Sequence, residues 1–281
     1  MKRFTPAIAI TALSLTAVLT MTDGAQSADL PDVQLVGLAA KNTLVSFKPN
    51  NLTQSKSLQV QGIAGTLIGI DVRPSNGLLY GLTNRSQVYT INPKTGETKL
   101  ISTLSVPFKP GFSTAINFNP VPDLLRVVNA DGQNLRINVD SGMVMVDKPL
   151  AYAQDDPNAK SKPRVGAVSY TNAFPGPPSP AGVTPPTRTT QLFDLDSRRD
   201  VLALQAPPND GTLRTIGSLG ANFNTVAGFE IFSPSAGMNT AFAVADGTLY
   251  TINLSTGAAT NLGQVRGGMR LLGLTAIPSS N

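Results

Sequence analysis

Leu67-Ile-Gly-Ile-Asp-Val-Arg-Pro74 decides the fold, because its pattern, a short apolar strand with a polar residue at the centre, returns four times. The copies are Thr114-Ala-Ile-Asn-Phe-Asn-Pro120, Gly166-Ala-Val-Ser-Tyr-Thr-Asn172, Ala227-Gly-Phe-Glu-Ile-Phe232 and Leu271-Leu-Gly-Leu-Thr-Ala-Ile-Pro278. Their central residues Asp71, Asn117, Ser169, Glu230 and Thr275 lie 46, 52, 61 and 45 residues apart, which is the period of propeller blades and not of solenoid turns.

A second phrase follows each of the first four in chain order: Val88-Tyr-Thr-Ile-Asn-Pro-Lys-Thr-Gly96, Leu135-Arg-Ile-Asn-Val-Asp-Ser-Gly142, Phe193-Asp-Leu-Asp-Ser197 and Leu249-Tyr-Thr-Ile-Asn-Leu-Ser-Thr-Gly257. Apolar and polar residues alternate and then turn at Gly96, Gly142 and Gly257, where a hairpin needs a residue that tolerates positive φ. A further strand lies between the phrases, such as Leu78–Leu82 or Ala241–Val244. Each unit therefore reads as a three- or four-stranded antiparallel meander. Residues 35–48 match the middle strands of a unit and lack the first phrase, which residues 271–278 supply. The expected fold is an all-β propeller of about five blades: 33–62 with 270–278, then 67–103, 113–150, 164–219 and 226–265. Its C-terminal strand completes the N-terminal blade, and closure of this kind removes exposed sheet edges.

Working outward, Lys2 and Arg3 precede a run from Phe4 to Thr20 with no charged side chain, and small residues follow. That order reads as a signal peptide over 1–27, with cleavage after Ser27 or Ala28. An uncleaved anchor is the alternative, disfavoured by Pro6 and the interspersed Thr and Ser. Export to the periplasm or the extracellular space is expected, with residues 28–281 as one domain and no transmembrane segment in the mature chain. Pro175-Gly-Pro-Pro-Ser-Pro180 and Pro185-Pro186 make 174–187 an extended loop insertion, read first as tolerated and alternatively as a recognition lip over one face.

Phe118-Asn-Pro-Val-Pro-Asp-Leu-Leu-Arg-Val-Val-Asn-Ala-Asp-Gly-Gln-Asn-Leu-Arg-Ile-Asn138, with Tyr170-Thr-Asn172, Gln205-Ala-Pro-Pro-Asn-Asp-Gly-Thr-Leu213 and Leu249-Tyr-Thr-Ile-Asn253, resembles the bacterial domain-of-unknown-function family 4394 over essentially the whole mature chain. The resemblance implies an exported, propeller-like domain. No activity is assigned to that family, so the resemblance carries over no catalytic residue.

Composition excludes more than it suggests. With no His and no Cys, a Ser-His-Asp triad, a Cys nucleophile, an imidazole or thiolate zinc site and a disulfide framework are all ruled out. The formal charge of +5 comes from scattered Lys and Arg, without the basic, aromatic-studded surface of a nucleic-acid binder. Since the first strand of a blade faces the channel, Asp71, Asn117, Ser169 and Glu230, with Thr275, should form a ring of oxygen-bearing side chains. Such a ring could ligate Ca²⁺, or simply hydrogen-bond neighbouring strands, which is the preferred reading. Arg126, Asn129, Gln133, Asn134 and Arg136 form a dense polar cluster, either donors to an anionic or sugar-like ligand or outward positions of a half-exposed hairpin. Asp194-Leu-Asp-Ser-Arg-Arg-Asp200 lacks the central glycine and terminal Glu of a calcium loop and reads as a hairpin. Asn209-Asp210-Gly211 reads as a tight turn. The expected function is a non-enzymatic scaffold binding a protein, glycan or small ligand, with no cofactor. The alternative is a calcium-dependent hydrolase or lyase working at the channel through Asp71 and Glu230.

Overall fold

The computed structural model describes residues 30–178, 188–223 and 227–277, together with Met1. The chain divides into two units, Met1–Leu30 and Pro31–Asn281. The expected signal peptide, Met1 aside, and residues 179–187 of the proline-rich loop lie outside the described residues. All the strands belong to the second unit.

Strands β1 (Gln34–Ala39), β2 (Thr43–Lys48) and β3 (Asn51–Gln59) supply three strands of the first blade. The second blade is β4 (Leu67–Val72), β5 (Leu79–Thr83), β6 (Gln87–Ile91) and β7 (Thr98–Thr103). The third is β8 (Thr114–Asn119), β9 (Leu124–Asn129), β10 (Asn134–Asn138) and β11 (Met143–Val146). A two-residue β12 (Ala151–Tyr152) precedes the fourth blade, β13 (Val165–Tyr170), β14 (Leu192–Asp196), β15 (Val201–Gln205) and β16 (Thr212–Ser218). The fifth is β17 (Ala227–Ser235), β18 (Met238–Ala245), β19 (Thr248–Ile252) and β20 (Ala259–Gln264). Finally β21 (Leu271–Ile277) pairs antiparallel with β1, Thr275 opposite Val36, giving the order β21-β1-β2-β3. The protein is a five-bladed β-propeller closed by its last strand.

Two details depart from the expected meanders. Phe193-Asp-Leu-Asp lies in β14, which pairs directly with β13 and so is the second strand of its blade, whereas its counterparts in β6, β10 and β19 are third strands. The insertion between β13 and β14 displaces the repeat by one strand. In addition, β12 pairs parallel with β16 and gives the fourth blade a fifth strand; the Tyr152 hydroxyl donates to Asp196 Oδ2 at 2.6 Å.

Apolar side chains fill the spaces between adjacent blades, as with Val36, Leu38, Leu67, Ile70 and Ile91 between the first and second. Inner and middle strands are therefore covered on both faces. A second set of contacts runs around the rim. The turn between the third and fourth strands of each blade sits on the end of the preceding blade's outermost strand. Gln61 N–H donates to Gly96 O, Ser105 N–H to Gly142 O, Lys148 N–H to Asn209 O and Ala259 N–H to Leu219 O, and Arg266 N–H to Leu52 O closes the circle. Gly142 shows why these turns need glycine. Its φ is 76°, and a Cβ there would lie 2.2 Å from the Thr103 carbonyl oxygen, so conformation and clearance both exclude a side chain.

Candidate functional site

The innermost strand of every blade is a sheet edge, and its channel-facing N–H groups have no ladder partner. The five central residues of the repeated phrase answer that need in one cyclic pattern. Asp71 Oδ2 accepts from Phe118 N–H at 2.6 Å, Asn117 Oδ1 from Tyr170 N–H at 2.8 Å and Ser169 Oγ from Ile231 N–H at 2.8 Å. Glu230 accepts from Ala276 N–H, and Thr275 Oγ1 from Val72 N–H at 3.2 Å. Each ring side chain thus satisfies the residue that follows the next blade's ring position. Three bonds tie the ring internally: Thr275 Oγ1 donates to Asp71 Oδ1 at 2.9 Å, Asn117 Nδ2 to Glu230 Oε2 at 3.3 Å, and the Ser169 hydroxyl to the Glu230 carboxyl. With a net worth of about 0.5–1.5 kcal/mol each, and more where the acceptor is charged, these bonds lock blade to blade at the axis.

Burial pushes the Asp71 carboxyl up to about 7. Burial, and then the charge of Asp71, raise Glu230 well above the ordinary glutamate value. The pair holds a proton where free carboxyls would have none. Among the described residues no three carboxylates come close enough to hold a metal ion between them.

Two positions before each ring residue stands a glycine or alanine: Gly69, Ala115, Ala167, Gly228 and Gly273. The strand period of two puts these on the channel side as well, and the inner strands approach so closely that a Cβ on Gly228 would lie 2.7 Å from the Gly273 carbonyl carbon. The space there is about 10 Å³. Beside Asp71, Asn117 and Glu230 the channel widens to a cavity of about 40 Å³, which is water-sized. Ala173 and Pro175 cover that mouth, and Gly176 N–H donates to Pro74 O at 3.0 Å, so the start of the insertion crosses from the fourth blade to the second. Arg188 braces it, with its guanidinium 4.0 Å from the Phe174 ring centroid.

The larger concavity is elsewhere. A cleft of about 540 Å³ opens at the junction of the first and second blades, floored by Val72, Leu78, Leu79, Ile91, Pro93 and Ile277. At the junction of the second and third blades the β4–β5 hairpin reaches across, with Arg73 donating to Asp123 and Asp140 and Ser75 to Asp123. In the first blade the corresponding strands are β21 and β1, from opposite ends of the chain, so no hairpin joins them. Leu78 is half exposed.

The polar cluster of the third blade divides in two. Arg126, Asn134 and Arg136 gather around Asp147, while Asn129 and Gln133 belong to the β9–β10 turn, where Asn129 Oδ1 accepts from the Asp131 and Gln133 N–H groups. Arg126 and Asn134 are each only 1% exposed. Arg126 donates from Nε to the Tyr170 hydroxyl, from Nη1 to Asn134 Oδ1 and Asp147 Oδ2, and from Nη2 to Asn209 Oδ1. Its hydrogen bonds thus reach β10, the end of the third blade, β13 and the Asn209 turn of the fourth. Burial alone would raise Asp147, but the Arg136 and Arg126 hydrogen bonds hold its carboxyl below the usual range. Sequence reading missed Asp147 and Tyr170 and read Asn209 in a tight turn without joining it to Arg126; none of the three lies in the β9–β10 hairpin. Asp194, in β14, is fully buried with neither carboxylate oxygen hydrogen-bonded among the described residues, and burial raises it well above the usual range. The run that contains it forms the β14–β15 hairpin.

The profile of the family described as "Domain of unknown function (DUF4394)" matches residues 43–275. Among solved structures, a chain in the crystal structure of a nidogen/laminin complex is 12% identical with a TM-score of 0.48, over 89% of this chain and 100% of that one. A protein of unknown function from Bacteroides thetaiotaomicron is 13% identical with a TM-score of 0.49, over 82% of this chain and 54% of that one. Comparison with curated proteins finds no match. No helix among the described residues is long and apolar enough to cross a membrane.

Proposed function

The chain belongs to the domain-of-unknown-function family 4394, and for this member we propose an exported, non-enzymatic binding scaffold that takes its ligand in the cleft at the seam of the first and second blades. The observation that carries this is the contrast in room. The channel cavity of about 40 Å³ admits water, whereas the seam cleft of about 540 Å³ falls in the range of small-molecule sites. The ring oxygens are engaged by backbone donors of the neighbouring blades, a structural duty. The donors of Arg126 are likewise directed to internal acceptors. Export rests on the charged-then-apolar N-terminal run.

Nile red, a neutral apolar dye, is expected to brighten on binding the native protein. Leu78→Asp should abolish that signal while shifting stability by less than about 0.5 kcal/mol, as befits a half-exposed position. Equal brightening by native protein and variant would sink the reading. Calcium is expected to leave the melting temperature unchanged. A stabilisation of about 2.7 kcal/mol at a hundredfold excess over Kd, lost in an Asp71→Asn, Glu230→Gln double variant, would instead make the channel a calcium site and call for a test of hydrolase or lyase activity.

A further inference from the structure

We infer that the ligand of the seam cleft is a monomeric amphiphile with one anionic head group and an apolar body. This rests on the reading of the cleft as the binding site and adds the chemistry of what binds. The floor is aliphatic, and Lys94 and Lys99 stand beside it. Lys94 sits in the β6–β7 turn and Lys99 in β7, both exposed. Neither has an acidic partner among the described residues, whose ion pairs all lie at other positions. The carboxylate of Glu97, also lining the cleft, accepts from the Thr95 hydroxyl at 3.0 Å. Two cations against one carboxylate leave the edge positive.

An apolar body laid on Leu78, Ile91 and Ile277 removes exposed hydrocarbon from water, and its anionic end then meets two ammonium groups. Lysines act as mobile point charges and not as planar forks, so they recognise the charge of the head more than its shape. A cationic head would meet like charge. A neutral one would keep the apolar gain alone.

The experiment displaces Nile red with monomeric dodecanoate and with dodecyltrimethylammonium, both below their micellar limits. Dodecanoate is expected to displace the dye at concentrations at least tenfold lower than the cation, and the gap should narrow as salt is added. Lys94→Gln with Lys99→Gln should erase the gap while Nile red still binds, and Glu97→Gln should widen it. Equal displacement by the two amphiphiles, with Nile red bound, overturns the anionic assignment and leaves the cleft standing. Failure of Nile red to bind overturns the cleft and this inference with it. Adsorption to anionic phospholipid vesicles without displacement by monomeric dodecanoate also overturns it, in favour of a membrane surface.

Discussion

The protein is expected to lose stability as the pH rises from 4 to 8, by on the order of 4 kcal/mol from Asp71 alone. In the folded chain burial raises its carboxyl from 3.8 to about 7, and Glu230 is raised too, by burial and then by the charge of Asp71. Both groups hold protons in the folded state that the unfolded chain has released by pH 5. The stabilisation is therefore complete below about pH 4 and drains away as the pH climbs through the folded values. Asp140 and Asp147 work the other way. The Arg73 hydrogen bond lowers Asp140, and Arg136 and Arg126 hold Asp147 down despite its burial, so their contribution fades below the usual carboxylate range. Maximum stability should fall near pH 4 to 5. The chain has no His and no Cys to titrate between pH 5 and 8, and buried Asp194, raised in the same direction, adds to the slope, so substitution of Asp71 and Glu230 isolates the share of the pair. The side chains that hydrogen-bond the pair, Asn117, Ser169 and Thr275, are neutral. Urea unfolding across pH 4–8 measures the slope. Asp71→Asn and Glu230→Gln mimic the protonated groups and should raise stability at pH 8 while leaving it nearly unchanged at pH 4. A native stability that is flat or rising over this range would contradict the assignment.

Much of this architecture was legible because it obeys a cyclic constraint. A channel-facing residue must recur at blade spacing, so the positions of Asp71, Asn117, Ser169, Glu230 and Thr275 located the inner strands and the closing strand together. The small residues Gly69, Ala115, Ala167, Gly228 and Gly273 carry an equally readable signal of a narrow channel, one that the polar centres beside them mask. Arg126 was misjudged for a physical reason. Alternation along Leu124-Leu-Arg-Val-Val-Asn129 implies an outward face only where one side of a sheet meets water, and in a propeller the next blade covers that side. The shift of Phe193–Asp196 into a second strand followed from the insertion ahead of it. The seam cleft could not be read at all, because it arises where a hairpin is missing and joins Ile277 to Leu78 from distant parts of the chain.

Replacing Arg126 by methionine is expected to cost about 3 kcal/mol, toward the lower end for breaking a buried ion pair. Its side chain makes four donor contacts to acceptors from two blades, and methionine would leave Asn134 Oδ1, Asn209 Oδ1 and Asp147 without those donors in a buried junction. Arg136 softens the loss, because it keeps Asp147 paired through Nε and Nη2 at 2.8 Å each. For the same reason Arg136→Met, at a partly exposed position, should cost only about 1 kcal/mol. Arg126→Lys retains the charge but cannot span the same acceptors, since an ammonium on a single stem lacks the planar fork; it should lose about 2 kcal/mol. The decisive comparison is a double-mutant cycle of Arg126→Met with Asp147→Asn, where a coupling of at least about 1 kcal/mol is expected between residues that touch. The same variants separate the two duties this polar cluster could have. A residue that clamps blades lowers the unfolding midpoint and leaves Nile red in the seam cleft undisturbed, as expected here. A residue that holds ligand would leave the midpoint in place, and an Arg126→Met cost below about 0.5 kcal/mol, typical of an exposed side chain, would return Arg126 to that role.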